Sequence, residues 1–149
     1  MRFSRSILLL FALLVLVPLG LGTKFYHGPG FMWVQLFAGD ILYPMFWFVL
    51  GMLLFPRTHP LVMSLLVFLF STAIEFTQLL HSPFLAFLRR SFIGRTLVGT
   101  SFVWADIFYY LIGCLLAILL YRGLVKISRD QKEQSGQRRG KSRERRATN

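Results

Sequence analysis

Acidic residues are scarce in this chain, which holds six aspartates and glutamates against seventeen lysines and arginines. Cysteine occurs once, as Cys114 within an apolar stretch. An intrachain disulfide is thereby excluded, and Cys114 is expected to be a small packing residue. A soluble domain of this size would have only short apolar stretches. The apolar runs of this chain instead reach the length needed to cross a membrane, about 17–25 residues. The sequence therefore predicts an integral membrane protein with one membrane domain.

Four apolar segments are predicted to cross the bilayer as helices. Turn signals separate them: Gly28-Pro29-Gly30 precedes the second segment, and a stretch from Pro56 to Pro60 precedes the third. We therefore expect an all-α membrane protein with four transmembrane helices. Their expected bounds are about 7–22, 31–55, 61–80 and 102–121.

A shorter helix is predicted at about 83–93, before the fourth span. Ser82 and Pro83 form the pattern of an N-cap followed by proline at the first helical position. Phenylalanines and leucines fall on one side of this helix, and Arg89 and Arg90 fall on the other. About eleven residues are too few to span, so this helix is expected to lie in the membrane interface.

The first apolar segment allows two interpretations. A basic start, an apolar stretch, and Gly20 and Gly22 near its end resemble a cleaved signal peptide. A retained helix would be short, and Pro18 would kink it. Composition favours the retained helix only slightly.

Basic residues concentrate at the end of the chain, where ten of the seventeen lie from Arg122 to Asn149. From about Lys126 onward the sequence is polar and poor in aromatic residues, so it is expected to be disordered. The predicted organisation is a membrane domain over residues 1–123 and a disordered, basic cytoplasmic tail over 124–149. The tail can attract anionic membrane lipids. No nucleic-acid partner is expected, because no aromatic residues interleave with its charges.

The distribution of lysine and arginine predicts the orientation. Cytoplasmic flanks carry the excess of positive charge, and an even number of spans puts both termini on one side. Both termini are therefore expected to be cytoplasmic, in a multi-pass protein of the bacterial cell (inner) membrane. Three arginines do not follow this charge rule, because the connection that contains them is predicted on the outer side of the membrane: Arg89, Arg90 and Arg95.

The three acids that precede the tail all lie within apolar segments: Asp40, Glu75 and Asp106. An ionisable group at the centre of a bilayer costs roughly 2.5–3.5 kcal/mol, so three could cost ~8–10 kcal/mol unless paired, hydrated or protonated. From the rise of a helix, they lie ~6–13 Å below the outer helix ends. The acids are therefore expected to cluster in the outer half of the membrane, beneath the exceptional arginines.

Helical spacing gives each acid a polar or small-residue face. Ser64, Ser71, Glu75, Gln78 and Ser82 form one stripe on the third helix. On the fourth helix, a second stripe carries Asp106, Tyr110, Gly113 and Ala117. On the second helix, a third stripe carries Asp40, Pro44, Trp47 and Gly51.

Two interpretations of the acids carry most weight. In the structural one, helix dipoles and the arginines neutralise them. In the functional one, they line a polar cavity open to the outer leaflet, where arginines bind an anionic headgroup. The ligand-binding residues of that hypothesis are Asp40, Glu75, Gln78, His81, Arg89, Arg95 and Asp106.

Two further functions stay open. One is an enzyme acting on a lipid-linked phosphate or glycan, in which the acids bind a divalent metal and His81 is a base or ligand. The chain contains no His-Glu-x-x-His spacing and no nucleophile elbow, so we assign no catalytic residue, metal site or cofactor. The other is a small proton-coupled transporter, which would need to form a homo-oligomer.

These motifs resemble those of domain-of-unknown-function family 2809, a family of small bacterial membrane proteins related to the VanZ-like proteins. The resemblance covers about Leu19 to Gly123. The residues that carry it are Ala38-Gly39-Asp40, Ser71, Ile74-Glu75-Phe76-Thr77-Gln78-Leu79, His81-Ser82-Pro83, Arg89, Gly94, Gly99, Phe102-Val103-Trp104-Ala105-Asp106 and Gly113.

The resemblance implies the fold and the membrane location, and it favours retention of the first helix. VanZ-like proteins are associated with low-level resistance to the glycopeptide teicoplanin, but the resemblance does not carry that role to this chain. We expect a non-enzymatic envelope protein that binds an anionic lipid headgroup or an amphiphile from the outer leaflet.

Overall fold

The computed structural model of the protein describes residues 4–77, 87, 90–91 and 104–147. All regular elements within these ranges are helices, and four helices are long and apolar enough to span a membrane. This finding confirms the predicted all-α class with four candidate spans. The helices are α1 (Arg5–Thr23), α2 (Phe31–Leu54), α3 (Pro60–Thr77) and α4 (Trp104–Ala147).

The short helix predicted at 83–93 lies outside the described residues, apart from Phe87, Arg90 and Ser91. The backbone N–H of Arg90 donates to the carbonyl oxygen of Phe87 at 3.1 Å. One such turn does not test the interfacial helix, which stays a prediction.

A glycine and a proline mark where the two described connections end and the next helices begin. Gly30 adopts a φ of 70°, a left-handed conformation that glycine takes without steric cost, and α2 begins at the next residue. Pro60 is the first residue of α3, where a proline loses no helical hydrogen bond. These are the positions at which the sequence places the turns.

The helices alternate in direction, and α2 and α4 contact each other and both remaining helices. Phe48, Val49 and Met52 of α2 are fully buried at the centre. Leu9 and Leu16 of α1 join the same core. The first apolar segment is therefore a packed helix of this bundle, and its retention rather than cleavage stays a prediction.

Close approach of α2 and α4 depends on Gly113. A Cβ atom at this position would meet the carbonyl oxygen of Ile41 and lie 2.6 Å from Cγ of Pro44. Any larger residue would push the two helices apart. Small residues permit such contacts between membrane helices.

Arg5 connects three helices at the end of the bundle where α1 begins and α2 ends. Its guanidinium donates to the carbonyl oxygens of Pro56, at 3.1 Å, and Met52, at 3.3 Å. It also lies 5.1 Å from the ring centroid of Tyr121. One side chain thereby joins α1 to the end of α2 and to α4, and it satisfies carbonyls that a helix end leaves without donors.

The fourth helix extends into the basic tail, whose disorder stays a prediction. Disorder is expected from about Lys126, but α4 continues without a break to Ala147. The apolar span has already supplied the costly helix nucleus, so each further residue needs only to propagate it. Arginine, lysine, glutamine and glutamate favour that propagation.

Candidate functional site

Glu75 is the most deeply buried acid of the bundle, with 1% of its surface exposed. It lies near the end of α3, and the phenol of Tyr110 on α4 donates a hydrogen bond to its Oε2 at 3.0 Å. Tyr110 is itself 6% exposed. A buried carboxylate needs such donors, because the apolar interior supplies none.

Asp40 and Asp106 reach the same place from two other helices. Asp106 lies in the first described turn of α4, where the helix dipole favours negative charge, whereas Asp40 lies within α2, directly after its π-helical segment. The two carboxyl groups lie close enough to interact with each other, and both interact electrostatically with Glu75.

Lys24 supplies positive charge to this end of the bundle. It follows α1, and its ammonium interacts electrostatically with both Asp40 and Asp106. Its Nζ donates to the carbonyl oxygen of Gln35 at 3.4 Å. A Cβ at Gly39 would lie 3.6 Å from the same nitrogen, so the lysine side chain passes directly over the backbone before Asp40.

The backbone of α2 is irregular next to Asp40. Residues Val34–Ala38 form a π-helical segment, and the regular α-helix resumes at Gly39. Pro44 follows one turn after Asp40 and lacks the N–H that would bond to the carbonyl of Asp40. Short π segments are frequent at functional sites. In this part of α2, the carbonyl of Asp40 thus lacks its regular helical donor.

Aromatic side chains flank the cluster on α2 and α4. Trp33 Nε1 donates to the hydroxyl of Tyr109 at 3.2 Å. The ring of Phe37 stacks on Tyr109 with centroids 4.5 Å apart. These contacts fix the position of α2 relative to α4 immediately beside Asp40 and Asp106.

The structure thus brings together three of the seven predicted site residues: Asp40, Glu75 and Asp106. The other four, Gln78, His81, Arg89 and Arg95, lie outside the described residues. Within the described ranges, no group of three histidine, cysteine, aspartate or glutamate side chains is arranged to hold a metal ion.

The site prediction lacked two residues. Tyr110 lies on the predicted stripe of α4, one turn after Asp106, so helical spacing alone could have included it. Lys24 gave no comparable signal. Its proximity depends on how the end of α1 packs over α2, which no local pattern encodes.

The chain belongs to the protein family described as a protein of unknown function, DUF2809, which matches residues 31–114. The matched region contains all three clustered acids and Tyr110, and Lys24 lies before it. No solved structure matches the chain.

Proposed function

We propose that this DUF2809 protein is a multi-pass protein of the bacterial inner membrane that binds the anionic headgroup of a lipid or another amphiphile. The binding pocket lies at the end of the bundle that holds Asp40, Glu75 and Asp106, and this end faces the periplasm. The observation that carries the proposal is the convergence of three acids from three helices in an apolar bundle. Ionisable groups at such depth are rare unless they serve a polar pathway or ligand.

The orientation rests on charge. Arg5, Arg57 and Arg122 lie at the end opposite the acids, and α4 continues from there into the basic tail. Cytoplasmic sides carry such an excess of arginine and lysine. Both termini are therefore cytoplasmic in this proposal, and the acid cluster lies beneath the outer surface.

The binding chemistry divides between two sets of groups. Arg89 and Arg95 hold the phosphate, because guanidinium groups bind phosphate oxygens in a bidentate manner. The carboxylates accept hydrogen bonds from neighbouring donor groups of the headgroup. Lys24 offsets part of the negative charge of the cluster.

The proximity of the Asp40 and Asp106 carboxyl groups favours a second candidate function, proton-coupled transport. A carboxyl pair that shares a proton can release and regain it during a transport cycle. Proton uptake by proteoliposomes after a pH step would test this candidate, and Asp40→Asn together with Asp106→Asn should abolish it. The enzyme hypothesis and the relation to VanZ-like proteins stay predictions.

Lipid retention tests the leading proposal. The wild type, Glu75→Gln and Arg89→Gln are extracted into nanodiscs, and the retained lipids are quantified by mass spectrometry. Arg122→Gln is the matched control, because this exposed arginine lies at the other end of the bundle. Both site variants should retain several-fold less anionic lipid at unchanged membrane abundance, and the control should match the wild type. Loss of membrane abundance in every site variant would instead assign the cluster a purely structural role.

A further inference from the structure

Two hydroxyl groups accompany Glu75 on α3. Ser71 precedes it by four residues and Thr72 by three, so both lie one helical turn from the carboxylate. Ser71 is completely buried, and its Oγ has no hydrogen-bond partner within the described structure. The same holds for the buried Oγ1 of Thr72.

Other threonines of the bundle behave differently. Thr23 Oγ1 donates to the carbonyl oxygen of Gly20 at 2.8 Å, and Thr77 Oγ1 donates to that of Ile74 at 2.6 Å. Bonding back to the preceding turn is the usual way in which a helix satisfies a buried hydroxyl. The hydroxyls of Ser71 and Thr72, beside Glu75, do not form this bond to the preceding turn. A buried hydroxyl without a hydrogen-bond partner needs a specific explanation.

Ser71 lies on the face of α3 that contacts α4. On the same stripe of α3, the carbonyl oxygen of Ser64 accepts a contact from Cys114 Sγ at 3.7 Å, and Glu75 accepts one from Tyr110. Ser71 lies between these two contacts along the helix. Its hydroxyl is therefore buried within the bundle, one helical turn from Glu75, rather than exposed to lipid.

We propose that Ser71, Thr72, Glu75 and Tyr110 form a subsite for a hydroxyl group of the bound headgroup, which makes the ligand an anionic lipid with a hydroxyl-bearing headgroup. This inference rests on the proposed function and specifies its ligand class. A ligand hydroxyl donates to the Glu75 carboxylate and accepts from Ser71 or Thr72, so both sides of the subsite are satisfied.

Other headgroup chemistries fit less well. A primary ammonium only donates, so the hydrogens of Ser71 and Thr72 would still lack acceptors on the ligand. A quaternary ammonium neither donates nor accepts hydrogen bonds. A neutral hydroxyl also costs less to transfer into the bundle interior than a charged group does.

The test compares two anionic lipids that differ in their hydroxyl groups. Full-length protein is reconstituted in bilayers that contain equal amounts of phosphatidylglycerol, phosphatidic acid and phosphatidylcholine, and native mass spectrometry counts the retained lipids. The wild type should prefer phosphatidylglycerol to phosphatidic acid by roughly 5- to 10-fold, as expected for the net effect of one additional hydrogen bond. The variant Ser71→Ala/Thr72→Val should lose that preference and keep its preference for both anionic lipids over phosphatidylcholine.

Two variants keep the result interpretable. Thr77→Val removes a hydroxyl that already bonds to its own helix, so it should leave lipid preference unchanged. If the double variant does not fold, Ser71→Ala alone should reduce the preference by a smaller factor.

The outcomes separate the two proposals. Equal retention of phosphatidylglycerol and phosphatidic acid by the wild type, or an unchanged preference in the variants, would overturn the hydroxyl subsite alone. Failure of the wild type to prefer either anionic lipid over phosphatidylcholine would overturn the proposed function, and the subsite with it.

Discussion

Tyr110 donates its phenolic hydrogen to the carboxylate of Glu75 across the interface between α3 and α4. Both side chains are buried, so this bond connects two helices where water does not compete. It also fixes the direction in which the carboxylate points. The other acids and Lys24 are arranged around a group that the tyrosine holds in place.

Tyr110→Phe should destabilise the bundle by about 1–3 kcal/mol, because Glu75 loses a donor while the ring is retained. Thermal unfolding in detergent would measure the loss. Tyr109→Phe is the matched control, since it removes a more exposed hydroxyl that bonds to Trp33. Equal stability of the two variants would show that the bond to Glu75 contributes little.

Gly113→Val should be among the most damaging substitutions in the membrane domain. The added side chain would collide with the carbonyl of Ile41 and with Pro44, and overpacking of this kind costs about 1–3 kcal/mol or more. The yield of folded protein from membranes and its unfolding temperature are the measurements.

The control is Gly123→Ala, because a Cβ at Gly123 meets open space. It should be neutral or slightly stabilising, since alanine favours a helix over glycine by up to about 1 kcal/mol. Similar behaviour of the two glycine variants would contradict the close approach of α2 and α4.

Arg5→Gln should loosen the end of the bundle opposite the acids. The guanidinium loses its bonds to Met52 and Pro56 and its contact with Tyr121, and a loss of about 1–2 kcal/mol follows. Limited proteolysis at the connection between α2 and α3 would report it. Arg57→Gln carries the same charge change in that connection. If its effect is as large, loss of charge rather than the Arg5 contacts is responsible.

Truncation after Glu133 tests the continuous fourth helix. Because α4 extends to Ala147, removing the tail should lower the total helical signal in circular dichroism and leave the unfolding temperature unchanged. A truncated protein with the same helical signal per molecule as the full chain would instead favour the disordered tail that composition predicts.

Much of the fold follows from local patterns. Apolar length predicts the four spans, and Gly30 and Pro60 mark where two of them begin. Helical spacing also puts Glu75 with Ser71, and Asp106 with Tyr110 and Gly113, on faces that the structure directs inward. These features depend on period and turn chemistry, which a single sequence carries.

Other features depend on packing or on competing local effects. Two features arise from how α1 and α2 pack together: the π-helical segment before Asp40 and the path of Lys24 over Gly39. The residue types in these segments do not predict either feature. The tail shows a conflict of another kind. Its composition predicts disorder, whereas its helix formers and the preceding span favour continued helix from Lys126 onward.

Disulfide cross-linking in native membranes tests the central claim, the convergence of acids from separate helices, most directly. In a Cys114→Ala background, Asp40→Cys is paired with Asp106→Cys, and in the control it is paired with Ala117→Cys, three turns further along α4. We predict that the first pair forms a disulfide rapidly under mild oxidation and that the control pair does not. Absence of the first cross-link, or equal rates for both pairs, would contradict the convergence of Asp40 and Asp106.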